Sequence, residues 1–132
     1  MKLLKLEIDN FRSIEHLELD LCDELGRPRA QTLLVGPNVC GKTTVLDAIA
    51  ACLGPALELP ARRPGFALEP ARVVRRGAVS SIVKCTLFLP DAEIAAVAEI
   101  ARLTEQPWQP PRESVVTVTW QYPYSDQGTD YR

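Results

Sequence analysis

The segment Gly36-Pro37-Asn38-Val39-Cys40-Gly41-Lys42-Thr43-Thr44 satisfies every fixed position of G-x-x-x-x-G-K-[ST], a loop pattern that cradles phosphate groups. Each fixed residue has a physical reason. Gly36 and Gly41 allow backbone conformations that a side chain would forbid, so that consecutive N–H groups converge on one anion. Lys42 adds a flexible point charge able to reach the β- and γ-phosphates. The Thr43 hydroxyl is placed to ligate Mg²⁺, and Thr44 lies one residue further into the helix that the pattern requires. The partial positive charge and unpaired N–H donors of that helix converge on the same point.

The flanking residues supply the context. Gln31-Thr32-Leu33-Leu34-Val35 is a short apolar run, which predicts a central strand buried on both faces. Thr43 to Leu53 predicts a helix: Val45, Leu46, Ile49, Cys52 and Leu53 recur at helical spacing, and Gly54-Pro55 is a stop signal. Upstream, Leu4, Leu6 and Ile8 alternate with Lys5, Glu7 and Asp9 over residues 3–9. Leu17, Leu19 and Leu21 alternate with His16, Glu18 and Asp20 over residues 14–21, and the turn Asn10-Phe11-Arg12-Ser13 joins the two runs. This is the pattern of an antiparallel hairpin.

Downstream, residues 54–78 hold Pro55, Pro60, Pro64 and Pro70 with Arg62, Arg63, Arg72, Arg75 and Arg76. Two readings stand for this long basic loop: a solvated segment whose arginines pair with the acidic body, and an arm contacting phosphate or DNA. The lack of interleaved aromatics favours the first. Residues 79–89 predict a strand with Val79, Val83, Cys85, Leu87 and Leu89 on one face, and residues 91–103 a helix with an apolar stripe of Ile94, Val97, Ala98, Ala101 and Leu103. Residues 114–122 predict a strand with Val116, Val118, Trp120 and Tyr122 on one face, and residues 123–132 a polar tail. The expected organisation is one domain: residues 1–53 as hairpin, central strand and helix, 54–78 as loop, 79–122 as a strand-helix-strand arm, and the tail.

The chain has 132 residues with 15 basic and 17 acidic side chains, 46% hydrophobic and 24% charged, which is ordinary for a globular domain. Net charge makes no case for a protein that coats nucleic acid. No apolar run reaches membrane-spanning length and no signal peptide opens the chain, so a cytoplasmic location without membrane association is expected. The four cysteines, Cys22, Cys40, Cys52 and Cys85, form no C-x-x-C pair and accompany a single histidine, which argues against zinc and disulfides. Three read as small core hydrophobes. Cys40 lies within the loop, either as filler pointing away from ligand or as part of the cradle.

With these residues in view, "LKLEIDNFRSIEHLELDL" followed by "LLVGPNVCGKTTVLDAIAACLG" resembles the N-terminal lobe of ABC-type P-loop ATPases, on the branch of RecF, SMC and OLD (overcoming lysogenisation defect) proteins. The likeness spans about residues 2–54, and "VKCTLFLPDAEIAAVAEIARL" matches the strand-then-helix arm of OLD-like ATPases more loosely. The resemblance implies an α/β fold, binding of ATP and Mg²⁺ through Gly36, Asn38, Val39, Cys40, Gly41, Lys42, Thr43 and Thr44, and head-to-tail dimers. It also brings the arginine of "NFRS", here Arg12, toward the nucleotide; without it Arg12 reads as a surface turn residue. Val39 departs from the family, which usually has glycine there. A β-branched residue disfavours positive φ.

After Lys42 no apolar strand ends in Asp-Glu, no Leu-Ser-Gly-Gly-type signature appears and no histidine follows the loop. Phosphoryl transfer needs such parts to place Mg²⁺ and the attacking water. The expectation is therefore the N-terminal lobe of a longer ATPase linked to DNA repair or phage defence, nearly inactive alone, which forms a homo-oligomer or joins a partner chain supplying Walker B and signature motifs, with DNA a possible ligand of the full assembly. The lobe is expected to leave the apolar face around Val45, Ile49 and Leu53 uncovered. The alternatives are a non-catalytic nucleotide-binding or interaction subunit and, disfavoured by the hairpin ahead of the loop, an unrelated P-loop kinase or GTPase.

Overall fold

Alternating apolar residues build the sheet, as the sequence pattern requires. The computed structural model describes residues 1–54, 72–105, 107, 109, 111 and 113–123. Strands β1 (Lys2–Phe11) and β2 (Ile14–Asp20) form the predicted hairpin, pairing Leu6 with Leu19 and Ile8 with Leu17. Strand β3 (Ser81–Phe88) lies antiparallel on the other side of β1, placing Cys85 opposite Leu6 and Val83 opposite Ile8. Strand β4 (Val115–Tyr122) completes a four-stranded antiparallel sheet of order β2-β1-β3-β4. Because side chains alternate along each strand, this register brings Leu6, Ile8, Val83, Cys85 and Leu87 onto one face, all buried.

Helix α1 (Lys42–Leu53) covers that face. Its buried residues include Val45, Ala48, Ala51, Cys52 and Leu53. Small side chains in the middle let the helix approach the sheet backbone: Cys52 Sγ lies 3.3 Å from the Val118 carbonyl oxygen and 3.7 Å from that of Val83. Hydrogen bonding to Cys52, together with burial, pushes the Cys85 thiol up, so it stays protonated among its apolar neighbours. Phe11 closes one end of the core edge-on to Trp120, ring centroids 5.8 Å apart.

Three expectations are corrected. Residues 31–35 form no strand: they have no ladder partner among the described residues, and Leu33 and Val35 are 84% and 83% exposed. A strand needs a neighbour for its N–H and C=O groups, and the hairpin sheet does not extend to this segment. Val79 stands outside β3 and is exposed. The uncovered face of α1 is not at Val45 and Leu53, both buried against the sheet, but around Leu46, which is exposed beside half-buried Ile49.

Residues 55–71, the greater part of the basic loop, and the tail at 124–132 lie outside the described residues. Residues 72–78 are solvent-facing only in part: Arg72, Arg76 and Gly77 are exposed, whereas the segment is tied to the core at Val73 and Val74. Val73 is buried in the core, Val74 bridges Phe11, and the Arg75 N–H donates to the Asn10 carbonyl at 2.9 Å. The Arg75 side chain pairs with Glu15 at 3.1 Å, which fits the solvated, ion-paired reading for that arginine. Helix α2 (Asp91–Leu103) follows β3 and buries none of its residues.

Candidate nucleotide site

The phosphate-loop residues meet at the N-terminus of α1. The chain turns at Asn38 and Val39, and the Cys40 N–H donates to the Pro37 carbonyl at 3.4 Å. Gly41 caps the helix with φ of 100°, a left-handed conformation in which any side chain is strained. Gly36 is packed differently: a Cβ there would stand 2.7 Å from Cys40 Sγ, so a larger residue would require the exposed Cys40 side chain to turn aside. The Cys40 thiol therefore turns inward across the loop. Val39 takes φ of 70° although it is β-branched, and its side chain is fully exposed. The site holds backbone strain where the family usually has glycine.

Lys42 is bent back over this loop. Its Nζ donates to the Gly36 carbonyl at 2.7 Å and the Pro37 carbonyl at 2.6 Å, and lies 3.7 Å from Cys40 Sγ. The ammonium charge is thus held at the mouth of the loop. α1 begins with no side-chain cap and no acidic residue in its first turn, which leaves its first N–H donors and its positive dipole end uncompensated. Thr43 is exposed in the first turn at the same end, and Thr44 is half-buried. Two glycines shaped by the cradle, a cation over it and an uncapped helix end fit an anionic phosphate group. Thr43 is the residue of this loop that would reach its Mg²⁺.

Arg12 reaches α1 from the hairpin turn. Its backbone is left-handed, with φ of 51°, and its N–H donates to the Val73 carbonyl at 2.6 Å. Its guanidinium forms an ion pair with Asp47 of α1 and lies 5.8 Å from the Phe11 ring centroid. Asp47 was not among the residues singled out from the sequence. The available signal was a carboxylate inside the apolar stripe of a helix, where a charge needs a partner. The structure brings Gly36 through Thr44 together and sets Arg12 against the flank of the same helix. The apolar cavity of about 350 Å³ lies elsewhere, between the hairpin, residues 29–34 and the outer side of α1 at Val45, Leu46 and Ile49.

Comparison with known proteins gives the family and the fold. The AAA ATPase domain family matches residues 1–99, which takes in the hairpin, the loop, α1 and β3. The chain belongs to the AAA ATPase domain family. Within this AAA ATPase domain, a 50-residue stretch is 42% identical to the chromosome partition protein Smc of Methanocaldococcus jannaschii, covering 38% of this chain and 4% of that protein. A solved SMC ATPase chain, described for ATP-driven dimerization and DNA-stimulated activation, superposes with a TM-score of 0.55 at 21% identity. That superposition covers 92% of this chain and 63% of the other. At this identity the superposition establishes a shared fold, that of the SMC-type P-loop ATPases. The chain spans a small fraction of Smc and less than two thirds of the solved SMC chain. Among the described residues, no helix is long and apolar enough to cross a membrane.

Proposed function

We propose that this AAA ATPase domain binds Mg²⁺-ATP through Gly36–Thr44 and serves as the nucleotide-binding lobe of an ATPase of the RecF/SMC/OLD kind. The observation that carries the reading is the Lys42 ammonium poised over the carbonyls of Gly36 and Pro37 at the uncapped start of α1. A bound β- or γ-phosphate would exchange those two carbonyl contacts for charge-assisted hydrogen bonds to its own oxygens. Mg²⁺ would neutralise phosphate charge, with Thr43 as its ligand from this chain. Hydrolysis requires carboxylates that the sequence after Lys42 does not place at a strand end, so they would come from the remainder of a longer ATPase or from a partner chain. The unpaired segment at 31–35, with Leu33 and Val35 exposed and Leu34 lining a groove with Leu46, supports that part: strands from elsewhere would pair with it and cover this surface. Work on DNA, in repair or in phage defence, is the role proposed for the complete assembly.

Titration calorimetry of the 132-residue chain with Mg²⁺-ATP tests the central claim. Wild type should bind and Lys42→Ala should bind far more weakly. Equal affinities would remove the phosphate-loop assignment. ATP at about 100 times its dissociation constant should raise stability by about 2.7 kcal/mol in the wild type.

A further inference from the structure

The hairpin turn touches α1 at two points that bracket the phosphate end of the helix. Ile14 approaches the helix cap: a Cβ built on Gly41 would lie 4.0 Å from Ile14 Cγ1. Arg12, two residues earlier, pairs with Asp47 one helical turn beyond Thr43. Residues four apart share a helix face, so Asp47 and Thr43 stand in line along α1. Asp47 is only 9% exposed, whereas the Arg12 side chain it grips is more than a third exposed. The carboxylate engages one terminal nitrogen, Nη1. A guanidinium carries five donors in a rigid fork, and the others find no partner among the described residues. The backbone adds rigidity, since the Arg12 N–H is fixed to Val73 at 2.6 Å.

We infer that Asp47 is a positioning residue for the nucleotide site, holding the Arg12 guanidinium beside the phosphate end of α1 with its remaining donors available to an anionic ligand. The inference rests on the nucleotide-binding reading above. A buried ion pair that served the fold alone would need no exposed donors, and a salt link to a fixed helix leaves the fork little freedom to turn away. Arg12 supplies the contact to ligand, and Asp47 acts through it.

The test is Mg²⁺-ATP affinity, by calorimetry on the full chain, for wild type, Asp47→Asn, Arg12→Ala and the double variant. Asp47→Asn keeps the side-chain shape but releases the ionic hold. It should weaken ATP binding about tenfold, the size expected for one charge-assisted hydrogen bond. In the Arg12→Ala background the same change should have no further effect. An Asp47→Asn protein that melts earlier yet binds ATP as wild type does would overturn the inference, as would an equal loss in both backgrounds. Arg12→Lys covers the case in which Asp47→Asn does not fold: an ammonium can satisfy Asp47 but has no fork left for ligand. Weakened ATP binding by folded Arg12→Lys supports the inference, and wild-type affinity overturns it. The Lys42→Ala comparison separates the two proposals. Wild-type binding that depends on Lys42 but is indifferent to Asp47 and Arg12 rejects only the positioning role.

Discussion

The two helices are nearly equal in length, 12 residues in α1 and 13 in α2, and both follow the periodicity of their apolar residues, yet they are stabilised in opposite ways. α1 has neither acidic residues in its first turn nor basic ones in its last, and it starts from a strained loop. What holds it is the sheet, against which it buries Val45, Ala48, Ala51, Cys52 and Leu53. α2 has Asp91 and Glu93 at its start and Arg102 at its end, complementing its dipole, and buries nothing among the described residues. Ile100 and Leu103 are 60% and 67% exposed. Its ties are polar: the N-terminal ammonium of Met1 pairs with Glu93, and the Ser114 hydroxyl donates to Asp91 at 3.3 Å. The contrast teaches where each kind of helix is useful. An N-terminus free of acidic side chains is a poor local stabiliser and a good phosphate site, provided that packing elsewhere holds the helix in place.

The largest effect expected from this contrast is in core truncation. Leu53→Ala in α1 should destabilise by about 3 kcal/mol, because the surrounding sheet and helix cannot close the space. Leu103→Ala in α2 should change stability by no more than about 0.5 kcal/mol. Urea unfolding of both variants measures this, and a comparable loss for Leu103→Ala would mean that α2 is covered after all.

An intermediate effect is expected at the strained entry to α1. Val39→Gly removes a β-branched residue from a left-handed conformation and should stabilise by about 1 kcal/mol, net of the added freedom of the unfolded chain. Thermal melts without nucleotide are the measurement. A destabilised variant would show that Val39 is not strained and that α1 needs no such compensation from the sheet.

The smallest effect concerns the polar bracing of α2. The hydrogen-bonded Arg102 guanidinium holds the Glu99 carboxyl below its ordinary range, with two contacts at 2.9 and 2.7 Å. A carboxyl depressed in the folded state contributes stability above its unfolded pKa, and that contribution disappears as pH falls through the lowered value. Both side chains are exposed, so the contribution is slight and screened by salt. NMR titration should find Glu99 ionising at lower pH than an unpaired glutamate, and Arg102→Gln should return it to the ordinary range while α1 is unaffected. An unshifted Glu99 would remove the pair from the account of α2.

Much of this arrangement was legible beforehand. The hairpin was readable because Leu6, Ile8, Leu17 and Leu19 alternate with charges on both strands, and with a period of two a one-residue slip would turn the whole apolar set outward. α2 was readable because its periodicity and end charges are local. Whether it would be buried was not, since an apolar stripe does not name its partner. The segment at 31–35 misled for the same reason: an apolar run specifies that a strand could be buried, whereas a strand forms only when a neighbour accepts its hydrogen bonds. Val73 and Val74 were hidden within an arginine- and proline-rich stretch, and only the fold shows that they close the core beside Phe11.

The sequence by itself determined the phosphate-loop pattern, since the roles proposed for Gly36, Gly41, Lys42 and Thr43 rest on backbone freedom, charge and a hydroxyl at fixed spacing along a few residues. It also determined the departure at Val39, because the penalty for a β-branched side chain at positive φ is local. Tertiary structure alone decided which groups surround that loop. Asp47 meets Arg12 across 35 positions of chain, and Cys40 turns in against Gly36 instead of outward. Such contacts depend on how the hairpin sheet seats α1, an outcome of packing many side chains at once that no short window of residues contains.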